Sequence, residues 1–411
     1  MLGKNMKRIL YSLLICLCAV ACRHPEVEYV QFQGFQVTSV QTDDYFLEDG
    51  TLNPKVALME DASLEPETKV ARTDGISLVR DLLGVVNCNK LIHIAGIYNG
   101  HDIDGSQIKL SGKLILPAEG PIKNLILVSH YTVGAYFESP SETFPLEGLL
   151  ATKGYAVAIA DYIGYGITAD RIHPYMHTES TARSVVDMGL AVKPYLKQIG
   201  RAPESDEVIL FGYSQGGSTT MAVMDMIQDE YMSIFPLKMT YCGGGPYELS
   251  ATFDVSMELG KTGIPCAIPM IVQGVNEGEQ LGLEMADFFK PHLLAGYKEW
   301  INSKNYTVKQ INQLIDSNDL HEIMTDEGRN KYSRTTARLY SALLRNSTLN
   351  FHPLSPMYIF HSRQDETVPF INAQKAEQFL KGRDIRFDFG DYGKHGMACV
   401  RFILTVYKAL P

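Results

Sequence analysis

An excess of positive charge is missing from the 411 residues: 37 Lys and Arg face 47 Asp and Glu, for a formal charge of −10. A pI near 5.6 gives no field that would hold a polyanion, which excludes a nucleic-acid partner. Long apolar runs are missing too. The one sustained run, Ile9 to Val20, is too short for a comfortable membrane span. Cysteine is scarce, 7 residues, and the spacing forms no zinc pattern, so no metal is expected. Gly243-Gly244-Gly245 is no phosphate loop, because Pro246 follows where Lys and Ser or Thr are required. What remains is 45% hydrophobic and 20% charged, the composition of a globular protein with room for one large domain plus an insertion, or for two domains.

The first residues read as a targeting signal, expected over 1–22. Lys4, Lys7 and Arg8 precede the apolar run, in the manner of a signal peptide. Its end, Leu17-Cys18-Ala19-Val20-Ala21-Cys22, resembles the lipobox of bacterial lipoproteins, which implies lipidation at Cys22 and a membrane anchor. Arg23 after that cysteine favours the outer membrane; ordinary cleavage, giving a periplasmic or secreted form, is the alternative. With Cys16 and Cys18 removed in the signal and Cys22 carrying lipid, Cys88, Cys242, Cys266 and Cys399 are left. A Cys242–Cys266 disulfide is open to an exported chain, but buried free thiols are the simpler expectation.

Residues 23–90 read as a tether and N-terminal arm without sustained periodicity. Beyond them apolar runs at 91–97, 107–116, 124–129, 155–161, 207–212, 238–242, 356–361 and 385–389 predict strands, with helices between them, notably over 180–198 and 215–228. Near-continuous apolar strands alternating with helices specify an α/β fold with a mostly parallel sheet covered on both faces. The core is expected over 91–245 and 353–411, and 246–352 as an inserted helical cap. So long an interval is no loop, and apolar spacing predicts helices over 278–294, 308–317 and 334–345. Phe288, Phe289, Leu293 and Trp300 in this interval either line an acyl pocket or, for most of them, form the cap's own core.

One stretch carries the chemistry. Strand 207–212 runs into Gly212-Tyr213-Ser214-Gln215-Gly216-Gly217, followed by a helix. With 34 glycines in the chain, chance supplies about 0.2 such patterns, so context decides. A serine held at a sharp strand-to-helix turn needs small residues two before and two after it. Gly212 and Gly216 meet that need, and the N–H of Gln215 lies near a helix N-terminus, where an oxyanion is stabilised. Partners follow in chain order. Asp365 stands on the loop after strand 356–361, with Glu366 as a weaker competitor. His395 stands in a glycine-flanked loop after the last strand. The order Ser214, Asp365, His395 is that of α/β-hydrolases, and the three together point to nucleophilic acyl transfer without a cofactor. A second oxyanion N–H is expected from Tyr131 or Thr132, after strand 124–129. His173 and His177, four apart, read as a structural loop, since Pro174 interrupts a helix and no third ligand presents itself.

The chain resembles the α/β-hydrolases of the secretory lipase type. Besides the triad motifs the similarity includes SGKLILP, GYAVAIADYIGYG and HPYMHTES, and it extends from Leu91 to Pro411. The resemblance implies an α/β-hydrolase fold with a helical cap and cleavage of carboxylic esters. An exported peptidase of the same fold and a non-catalytic binding protein on a hydrolase scaffold remain as alternatives.

Overall fold

The computed structural model describes residues 32–45, 53–57, 90–380 and 384–411. The signal segment, Cys22 and Cys88 lie outside them. Strands β1 (Gln33–Gln41), β2 (Lys90–His101), β3 (Gln107–Pro117), β4 (Leu125–Ser129), β5 (Ala156–Ala160), β6 (Val208–Tyr213), β7 (Leu237–Gly243), β8 (Met357–Ser362) and β9 (Ile385–Gly390) form one sheet. Their spatial order is β1-β2-β3-β5-β4-β6-β7-β8-β9. The first three pairings along that order are antiparallel and the remaining five parallel.

Every residue of β4, β5, β6 and β8 is buried. Alternate side chains serve two cores. Leu125 and Leu127 pack with α1 (Thr178–Gln198) and α2 (Gln215–Met226) on one face, and Ile126 and Val128 pack with the C-terminal helix on the other. Burial of each such aliphatic side chain is worth about 2 kcal/mol, so covering both faces fixes register as well as stability.

The segment between β7 and β8 is helical: α3 (Leu249–Leu259), α4 (Ala267–Gly278), α5 (Pro291–Tyr297), α6 (Val308–Ile315) and α7 (Arg334–Arg345). Helix α8 (Ile371–Phe379) follows β8, and α9 (His395–Ala409) follows β9. The middle segment has its own core, filled by Phe288, Phe289, Leu293, Ile311, Leu339 and Leu343, with Trp300 half-buried against it. Those aromatic residues therefore stabilise the segment rather than line a substrate pocket.

Two expectations need correction. The range 278–294 is not one helix: the chain leaves α4 at Gly278, makes a single turn at Met285–Asp287 and becomes helical again at Pro291. The apolar side chains of this stretch mimic helical spacing, but they reach the core from irregular backbone, and Gly282 and Pro291 mark the break. The range 23–90 also contains β1, which pairs antiparallel with β2. Its register skips Phe35, a β-bulge, and an edge strand with Phe35 and Val37 53% and 67% exposed lacks clean alternation.

Candidate active site

Ser214 lies between β6 and α2 at φ 58° and ψ −127°, a conformation that non-glycine residues adopt only when their surroundings enforce it. Here they do. Its N–H donates to the Gly243 carbonyl at 2.9 Å and its carbonyl accepts from Gly217 N–H at 2.8 Å. A Cβ on Gly212 would stand 2.2 Å from the Gly216 carbonyl oxygen, and one on Gly216 would stand 2.0 Å from the carbonyl oxygen of Ser129. Both glycines are therefore sterically required by the turn. The Gly243–Gly245 run passes alongside it.

His395 begins α9, and its Nε2 is 2.8 Å from Ser214 Oγ. Its Nδ1 donates to Asp365 Oδ2 at 2.5 Å. The other carboxylate oxygen of Asp365 accepts the N–H groups of Thr367 and Val368 at 2.9 and 2.8 Å. Burial alone would raise the Asp365 pKa, but the imidazoles of His395 and His361 and the Val368 N–H outweigh it and hold the carboxyl below its ordinary value. The neighbour diverges. Glu366 is 64% exposed in its side chain and pairs with Lys394 at 3.0 Å, whereas the Asp365 side chain is fully buried.

Tyr131, Thr132, Ser214 and His395 border a common cavity of about 100 Å³. Its far wall comes from the helical segment and is mostly apolar, with Leu249, Ile264, Ala267, Ile268 and Ile271. Gln215 opens α2, where its N–H is one of the four that a helix start leaves without an intrahelical acceptor. Among the described residues no group of three or more His, Cys, Asp or Glu is placed to hold a metal ion. His177 Nδ1 instead meets Ser180 Oγ at 2.9 Å, and His173 binds Ile163 and Gln215. Cys242, Cys266 and Cys399 are free and buried, and burial pushes their thiols up.

Sequence reasoning missed two groups around the triad. His361 is buried beneath Asp365, with Nε2 3.1 Å from the Val368 carbonyl and 3.7 Å from Asp365 Oδ2. Glu138 accepts the N–H groups of Gly134 and Ala135 at 2.9 Å each, fixing the turn after Tyr131 and Thr132. A side-chain acceptor three residues past Ala135 was the one signal available for Glu138.

The secretory lipase family model matches residues 137–396, more than half of the chain. The chain belongs to the secretory lipase family. The chain is similar in structure to the rice cell wall degrading esterase LipA from Xanthomonas oryzae, at TM-score 0.68 and 22% identity over 87% of this chain and 97% of that one. A Legionella pneumophila protein aligns at TM-score 0.72 and 21% identity over 86% of this chain and 98% of its own. Candida antarctica lipase A aligns at TM-score 0.54 and 16% identity over 77% and 75%. Identities this low speak to the fold, which is that of the α/β-hydrolases. No curated protein matches the sequence. The family makes the chain a hydrolase of the lipase/esterase type and fits an exported protein. Among the described residues no helix is long and apolar enough to cross a membrane.

Proposed function

We propose that the chain is a serine esterase that cleaves carboxylic esters through an acyl-enzyme. The hydrogen-bonded line Ser214–His395–Asp365, at 2.8 and 2.5 Å, carries the proposal. In this reading Ser214 Oγ attacks the ester carbonyl while His395 Nε2 takes its proton, and the tetrahedral oxyanion rests on the N–H of Gln215 and that of Tyr131 or Thr132. Collapse expels the alcohol, which takes the proton from His395. Water then repeats the sequence on the acyl-enzyme, and Asp365 holds the imidazole tautomer throughout. Residues 246–352 act as a cap over the site, supported by the Leu249, Ile264 and Ile271 side chains that face Ser214 across the cavity.

The lining of that cavity points to the acyl group. Leu249, Ile264 and Ile271 suit an aliphatic chain, and the space of about 100 Å³ beside Ser214 favours a short one. Against p-nitrophenyl esters of rising length, kcat/KM is expected to peak between acetate and hexanoate and to fall at least tenfold by dodecanoate. Aminoacyl anilides should turn over far more slowly. Preference for the anilides would replace the esterase with a peptidase, and a maximum at dodecanoate would show that the cavity does not bound the acyl chain.

A further inference from the structure

The loop from Tyr162 to His177 lies beside the triad and contributes no member to it. His173 is buried on that loop, with its ring 5.9 Å from and nearly parallel to that of Tyr162, 5.0 Å from Tyr165 and 5.8 Å from Tyr175. Its Nδ1 lies 2.7 Å from the Ile163 carbonyl oxygen. A carbonyl only accepts, so Nδ1 carries the proton, and Nε2 of the neutral ring presents a lone pair. Burial, assisted by the nearby Lys304 ammonium, lowers the His173 pKa to about 3 and keeps that lone pair unprotonated across the working range. At 3.0 Å from Nε2 stands the side-chain amide nitrogen of Gln215, itself buried. Donor and acceptor are thereby assigned without ambiguity: Gln215 donates, His173 accepts.

The same loop reaches the other half of the site. The hydroxyl of Tyr175 and Thr132 Oγ1 share a hydrogen bond of 2.8 Å. The loop closes tightly enough for this because Gly164, at φ 89°, lets the backbone of His173 approach to where a Cβ would clash at 2.5 Å.

We infer that His173 is a positioning residue: by accepting from the Gln215 side chain it fixes the backbone N–H of Gln215 against the developing oxyanion, while Tyr175 steadies the opposing turn through Thr132. The inference rests on the esterase reading, in which that N–H is an oxyanion donor. Its energetic leverage lies in the transition state, because a preorganised donor counts most where charge develops. Substrate binding in the ground state draws little on it.

Two substitutions separate this role from mere support of the loop. Counted from Cβ, the amide nitrogen of Asn falls where Nδ1 of histidine does, and the amide oxygen of Gln where Nε2 does. His173→Asn thus keeps the bond to Ile163 and removes the acceptor for Gln215, whereas His173→Gln keeps the acceptor. For His173→Asn, kcat on a short ester is expected to fall ten- to a hundredfold, below the roughly 10²–10³ of a donor removed outright, with KM within twofold. Affinity for a boronic acid that mimics the tetrahedral adduct should fall by the same factor. His173→Gln should stay within about threefold of wild type. Gln215→Leu approaches the same bond from the other side, so the test stands even if a His173 variant fails to fold. It should reproduce the loss, and adding His173→Asn to it should cost nothing more. Wild-type kcat in folded His173→Asn, or in folded Gln215→Leu, would overturn the inference, as would fully additive losses in the double variant. Ser214→Ala, run alongside, distinguishes the failures: ester turnover surviving in that variant would remove the esterase reading itself.

Discussion

Asp365 and Glu366 are adjacent, carry the same charge and meet different surroundings. Asp365 spends both oxygens inside the protein, on His395 and on two backbone N–H groups, while Glu366 faces solvent beside Lys394. Asp365→Asn keeps the shape but favours the wrong histidine tautomer, so kcat should fall by about three to four orders of magnitude at neutral pH. Glu366→Gln should cost less than about tenfold, since an exposed ion pair contributes little. Steady-state kinetics on both variants checks the contrast, and the reverse ranking would remove Asp365 from the proposed triad. Ser214, Asp365 and His395 were legible because each stands where chain order and turn chemistry announce it: glycines around the serine, a strand end before the aspartate, a glycine-flanked loop around the histidine. His361 was not, because its burial against Asp365 is set by the tertiary fold, and His173, read only as a loop residue, meets Gln215 from 42 positions away.

At the scale of elements, the 3-10 helix Leu146–Lys153 holds a buried carboxyl, Glu147, inside the core shared by β4, β5 and α9. Burial raises its pKa to about 7, partly offset by its own backbone N–H. The folded state then binds this proton more tightly than the unfolded chain does. The stability it gives is whole at low pH and is lost as pH rises from the ordinary carboxyl range through about 7. Glu147→Gln carries no such proton, so its advantage over wild type in urea unfolding should be under about 1 kcal/mol at pH 5 and about 3 kcal/mol at pH 8. A constant difference across that interval would place the carboxyl in a wetter setting than its burial indicates. Asp365, with its lowered pKa, works in the opposite direction and loses its contribution as pH falls.

Legibility at this scale followed burial. The parallel strands read clearly because both faces are covered and the apolar runs are short and unbroken. Helix α7 was read to the residue: a buried stripe including Leu339 and Leu343 sits on an otherwise polar sequence, with Ser333 capping its start. Strand β1 was missed because a bulge and an exposed outer face erase its period. The stretch 278–294 was misread because a core filled from irregular backbone leaves the same apolar spacing as a helix face.

For the molecule as a whole, the family fits export, and the cysteine that ends the N-terminal apolar run supports a lipid anchor. We expect palmitate labelling in a bacterial host to depend on Cys22, and Cys22→Ser to move the protein from the membrane fraction to the soluble one. A mature N-terminus mapped elsewhere and free of lipid would instead make the protein periplasmic or secreted. The catalytic proposal needs the whole arrangement: a sheet that strains one serine, a loop and a helix start that deliver acid and base, and a helical segment that walls the cavity beside them. Acid-quenching the enzyme during turnover of a short p-nitrophenyl ester, then mapping the acyl group by peptide mass, tests this arrangement most directly. The expected result is acyl on Ser214, with none on Ser214→Ala and with ester turnover in that variant reduced by several orders of magnitude to the remnant left by the oxyanion donors. An acyl group on another residue, or wild-type turnover in Ser214→Ala, would contradict it.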